Sequence, residues 1–117
     1  MSRRDAERRG HDSETLAAWW LRLKGFRILA RRYRTPVGEI DLVAERGRLI
    51  VFVEVKRRPT LAAALSALAP GQQLRITRAA EHFLARRQPP PDRSFRFDVI
   101  ALAPGHLPRH VVDAWRA

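Results

Sequence analysis

A chain of 117 residues with 45% apolar side chains can pack one domain, and nowhere does it approach the roughly 18 continuous apolar residues of a membrane span. It has no cysteine, which excludes disulfides and thiolate zinc centres. A formal net charge of +11 points to a polyanionic partner, nucleic acid rather than a membrane.

Residues 1–12 are polar and basic and read as a flexible arm ahead of one α/β domain over 13–117. No apolar stretch follows them, so they make no secretory signal and a cytoplasmic address is expected by default. Asp12 or Ser13 can cap a helix that runs to about Lys24 and stops at Gly25. That helix carries two apolar stripes: Ala17, Ala18 and Leu21 behind Glu14, and Leu16, Trp19, Trp20 and Leu23 on the other side. Phe26 to Tyr33 reads as a strand, broken by Thr35-Pro36. Glu39 to Ala44 and Arg48 to Lys56 follow as strands joined by a turn around Arg46-Gly47. From Ala62 to Arg87 the apolar period is helical, with a break at Ala69-Pro70-Gly71. Gln88-Pro89-Pro90-Pro91 is a stiff linker, Phe95 to Leu102 a strand, and His110 to Trp115 a short last one.

The order αβββαβ predicts an antiparallel meander followed by a helical crossover to a parallel strand. A mixed sheet flanked by helices follows. Leu49 to Val53 is apolar on both faces, as in a covered central strand.

Strand parity draws attention to two acids. Glu54 and Lys56 share a face of the third strand, and Asp41 lies on the second. A two-residue turn at Arg46-Gly47 pairs Asp41 with Phe52 and puts Glu54 on the diagonal; a four-residue turn pairs Asp41 with Glu54. Either register brings the carboxylates within roughly 4.5–8 Å between backbone neighbours. Acids that close repel unless a proton or cation joins them, and hard oxygen ligands favour Mg²⁺ or Mn²⁺. Only Lys24 and Lys56 of the 23 basic residues are lysine. A lysine kept in such a chain suggests a compact charge, which the wide guanidinium fork cannot supply.

The run GEIDLVAERGRLIVFVEVKRR, Gly38 to Arg58, resembles the core of the YraN-like bacterial family, predicted endonucleases of the PD-(D/E)XK superfamily. These are similar in fold to archaeal Holliday-junction resolvases. The likeness continues through Glu14, Leu16-Ala17-Ala18, Gly25-Phe26, Ile28-Leu29, Pro70, Gln73 and Arg96-Phe97-Asp98-Val99. It implies a restriction-endonuclease-like fold and the superfamily's roles for Asp41 (metal-binding acid), Glu54 (acid of the (D/E)XK element) and Lys56 (its lysine). Glu14 matches the acid of the first helix, and Gln73 a glutamine that touches phosphate or water. Ser13 replaces a usual glycine, and Gln72 stands where the family often has a basic residue.

The mechanism expected from this is metal-dependent phosphodiester hydrolysis in DNA, branched or junction DNA included. Asp41, Glu54 and the Val55 carbonyl would hold the metal, and Glu14 would bind it or a shared water. Arg31, Arg32, Arg34, Arg57 and Arg58 would contact phosphates. Two other readings compete: a non-catalytic nucleic-acid-binding module, and an interaction subunit of a repair or ribosome-associated complex. Asp98 is expected to pair with Arg96, and His11, His82, His106 and His110 to be surface or structural. Trp19 and Trp115 are expected in the core, with a homodimer interface as the alternative.

Overall fold

The computed structural model describes residues 3–117, with side chains from Asp12 onward. Helix α1 (Arg3–Leu23) begins well before the Asp12–Ser13 cap expected from sequence. Arg3 to Arg9 holds four arginines with one alanine and one glutamate, and these helix formers carry the backbone through part of the segment read as an arm. The contacts of residues 1–11 of the expected arm over 1–12 fall outside the described side chains. From Ser13 on, one stripe docks: Glu14, Ala17, Ala18 and Leu21 are buried, whereas Leu16, Trp19 and Leu23 stay exposed. Gly25, at φ +89, closes the helix, and the Phe26 N–H returns to the Leu21 carbonyl.

Five strands follow: β1 (Arg27–Thr35), β2 (Gly38–Arg46), β3 (Leu49–Arg57), β4 (Ser94–Leu102) and β5 (Arg109–Trp115). They lie side by side in chain order, antiparallel except for the parallel β3–β4 pair. The crossover between β3 and β4 contains α2 (Leu61–Leu65) and α3 (Pro70–Arg87). Thr60 caps α2 by accepting the Ala63 N–H at 3.1 Å, and Pro70 starts α3, so the expected break splits one helical run into two helices.

The sheet separates two cores. Ala17, Ala18 and Leu21 of α1 pack on Leu42, Ala44, Val51, Val53 and Ile100. Ile76, Ala79, Ala80 and Phe83 of α3 pack on Ile40, Val43, Ile50, Phe52 and Phe97. Strand β3 is buried on both faces, as its sequence predicts. Trp115 belongs to the second core, stacked 4.9 Å from Phe97, whereas Trp19 is 58% exposed against expectation. A helix that lies flat on a sheet covers one stripe only, and Ala17 and Ala18 allow the closer approach. No helix among the described residues is long and apolar enough to cross a membrane.

Two details set the register near the candidate site. Arg46 pairs with Leu49, so the β2–β3 turn is Gly47-Arg48, one residue later than expected, with Gly47 at φ +60 in the first turn position. This short turn gives the register that a four-residue turn was expected to give. Strict alternation also fails in β2, because Ile40 joins the α3 core and Leu42 the α1 core. The change of face falls at Asp41. Opposite it, between the pairs Arg31–Leu42 and Tyr33–Ile40, stands Arg32 with φ +48, a conformation that twists the hairpin locally.

Candidate active site

Beyond Val53 the pleat of β3 sends Val55 toward the α1 core, while Glu54 and Lys56 follow Phe52 toward the α3 side. The last ladder pair of β2 and β3 is Leu42–Val53, which leaves Asp41 opposite Glu54. There the Asp41 side chain takes over from the backbone: the Val55 N–H donates to Asp41 Oδ2 at 2.8 Å. In antiparallel pairing the N–H and C=O of one residue turn to the same neighbour. The Val55 carbonyl therefore faces the same gap. Asp41 is the neighbouring acid that acts on Glu54, and Lys56 Nζ lies 3.9 Å from Glu54 Oε1. Glu54 and Lys56 are only 7% and 9% exposed.

Burial, followed by the hydrogen bond and charge of Asp41, pushes the Glu54 carboxyl up to about 9; Lys56 pulls it down and Glu39 adds a smaller push upward. At neutral pH Glu54 therefore keeps its proton, and a divalent ion is the other way to relieve a carboxyl buried beside a second acid. The oxygen-only donor set of Asp41, Glu54 and the Val55 carbonyl fits Mg²⁺ or Mn²⁺.

Glu14 does not complete a three-acid cluster, and no group of three His, Cys, Asp or Glu among the described residues is arranged to hold a metal. Its helix packs on the opposite face of the sheet from Glu54. There Arg31 Nε reaches Glu14 Oε1 at 3.3 Å and Arg32 Nε reaches Oε2 at 2.9 Å. Arg57, one residue past Lys56 and therefore on the α1 side, donates to Ser13 Oγ at 3.4 Å. Three of the arginines expected to face phosphate thus turn back onto α1. Arg34 is largely exposed and 3.7 Å from Glu39, and Arg58 is exposed and bonded to the Arg57 carbonyl.

The glutamine beside the lysine is Gln72: Lys56 Nζ donates to Gln72 Oε1 at 2.9 Å. The contact seen at Gln73 is through its main-chain carbonyl, which accepts the Thr77 hydroxyl. Both glutamines lie in the first turn of α3, and nothing in the sequence distinguishes their reach. Gly38 brings that helix close, since a Cβ there would overlap the Arg75 carbonyl oxygen.

A separate buried acid behaves differently. Asp98, wholly buried, accepts two bonds from Arg96 at 2.8 Å, one from His110 Nε2 at 2.7 Å and one from the Asp113 N–H at 3.0 Å. Burial pushes its carboxyl up, but the bonds from His110, Arg96 and Asp113 together outweigh it and bring the group down to about 2. The expected Arg96–Asp98 pair is present. The His110 contact was not legible, because the irregular β4–β5 register brings those residues together. His82 is likewise structural, bonded to the Tyr33 hydroxyl at 2.9 Å.

A five-stranded mixed sheet flanked by helices, with Asp, Glu and Lys meeting where β2 leaves β3, is the architecture of the restriction-endonuclease-like α/β class. Within that class, residues 13–102 match the model of Uncharacterised protein family UPF0102, the YraN-like group, and the chain belongs to that family. A UPF0102 protein of Paramagnetospirillum magneticum is 53% identical over 115 residues, covering 95% of this chain and 89% of the relative. Another, from Parvibaculum lavamentivorans, is 53% identical over 111 residues, covering 95% and 84%. A Caulobacter vibrioides relative is 50% identical over 116 residues, covering 98% and 93%.

Proposed function

We propose that the protein is a metal-dependent endonuclease acting on DNA, branched or junction DNA included. The observation that carries this reading is the buried Glu54 carboxyl, pushed up by Asp41 beside it, with the Lys56 ammonium 3.9 Å away. A structural ion pair needs one acid and one base. A second acid placed beside Glu54, at the cost of holding a proton on it, suits a group that exchanges that proton for a cation.

Asp41, Glu54 and the Val55 carbonyl would hold Mg²⁺ or Mn²⁺, whose chemistry when bound is to neutralise the phosphodiester and acidify a water. Lys56 orients the attacking water and offsets the charge that grows on the phosphate oxygens. Asp41 also fixes the backbone of β3 through the Val55 N–H, so the carbonyl and the two side chains keep one arrangement. Arg34 and Arg58, exposed beside the site, supply phosphate contacts; Arg31, Arg32 and Arg57 would join them by releasing Glu14 and Ser13. Such contacts give salt-dependent affinity without sequence reading. Glu14 acts on the site by neutralising two arginines next to Asp41.

Incubation of branched, flapped and linear DNA with Mg²⁺ or Mn²⁺ tests the proposal. Asp41→Asn and Lys56→Ala are expected to lose at least about a hundredfold in cleavage rate. Equal cleavage by wild type and both variants would mean a contaminating nuclease. Tight, salt-sensitive binding without cleavage of any substrate would make the protein a binding module instead.

A further inference from the structure

Lys56 sits at the end of a flexible four-carbon stem with three donors, so its position depends on what accepts from it. Gln72 Oε1, at 2.9 Å, lies nearer to Nζ than the Glu54 oxygen at 3.9 Å. An ammonium has no acceptor, so it fixes the orientation of the amide: Oε1 faces Lys56 and the Nε2 donors turn away. Gln72 is itself well held. Its N–H is tied to the Ala69 carbonyl in the first turn of α3, behind Pro70. That helix sits against β2 where Gly38 leaves no room for a side chain under the Arg75 carbonyl. The amide therefore comes from a helix packed on β2, separate from the strand that carries Lys56.

We infer that Gln72 is the positioning residue for Lys56, holding its ammonium beside the Asp41–Glu54 pair; the catalytic value of this rests on the hydrolase reading above. A basic side chain at the same place would repel Lys56 and leave its stem free to swing, so the glutamine ties lysine placement in this chain to the docking of α3. Gln73, one residue on, is not required for it.

Two readouts test the assignment, one without any reaction. Lys24 and Lys56 are the only lysines, so a Lys24→Arg background leaves one side-chain ammonium to observe by ¹H–¹⁵N NMR. A distinct, slowly exchanging Lys56 signal is expected in the otherwise native protein and in Gln72→Glu, which keeps an acceptor. It should be lost in Gln72→Leu and Gln72→Ala, whose folding is checked by their melting temperatures. In cleavage assays the latter two should lose about tenfold in kcat with KM within about twofold, and Gln73→Ala should lose less. An unchanged Lys56 signal in folded Gln72→Leu or Gln72→Ala, or no distinct signal with Gln72 in place, overturns the assignment. If the native protein cleaves no DNA, the hydrolase reading fails, while the ammonium signal still decides whether Gln72 holds Lys56.

Discussion

Asp98 and Glu54 are both carboxyl groups buried on one sheet, yet their surroundings oppose each other. Around Asp98 every oxygen is used: a guanidinium fork, an imidazole and a backbone N–H converge on it and hold it ionised down to about 2. Around Glu54 one lysine at 3.9 Å faces two acids, and the carboxyl is driven up to about 9. Asp98 is saturated, and its chemistry is finished by folding. Glu54 is short of donors and keeps a proton instead, and it is this proton that the proposed cation would replace. Burial of an acid therefore says little by itself; the count of opposing donors separates a structural carboxylate from a candidate functional one.

The comparison predicts its largest effect at Asp98. Asp98→Ala leaves Arg96 and His110 without their partner and should cost about 3–5 kcal/mol by urea unfolding. A loss under about 1 kcal/mol would remove Asp98 as the saturated member of the contrast. The two sites should also respond to pH with opposite sign. Asp98 is shifted from 3.8 to about 2, so its contribution is present above pH 3.8 and fades as pH falls through 2. The folded state holds the Glu54 proton more tightly than the unfolded chain does, with the shift running from 4.5 to about 9. Its contribution is complete below pH 4.5 and lost as pH rises toward 9. Melting curves of Glu54→Gln should therefore gain on wild type from pH 5 to pH 9, whereas the deficit of Asp98→Asn should shrink only below pH 3.8.

Smaller effects sharpen the picture. Gly38→Ala pushes α3 away from β2 and should cost about 1–3 kcal/mol in chemical unfolding, loosening the support behind Lys56. Trp19→Ser, on the exposed stripe of α1, should stay within about 0.5 kcal/mol of wild type in the same assay.

Much of this was legible in the residues. The two-faced apolar run Leu49–Val53 marks the central strand, Gly25 and Pro70 mark helix ends, and the span between β3 and β4 demands a crossover. Strand parity puts Glu54 with Lys56 and brings Asp41 to them. The rest depended on features that leave no pattern. The register was set by Gly47 taking the first turn position. Ile40 and Leu42 turn to opposite faces although two residues apart, and the strand opposite carries Arg32, a residue with no glycine-like freedom, at a positive φ. Glu14 was separated from the pair by the pleat of β3, which points alternate residues to α1 and α3. The contact between Gln72 and Lys56 depends on side-chain reach within one helical turn, where Gln72 and Gln73 look alike.

Calorimetric titration of Mn²⁺ at pH 7.5, repeated in two buffers of different ionisation enthalpy, tests the acid pair most directly. Saturable binding with release of about one proton is predicted, as Glu54 gives up its proton, and both signals should vanish in Asp41→Asn and Glu54→Gln. Absence of saturable binding, or the same isotherm in wild type and both variants, would contradict the account.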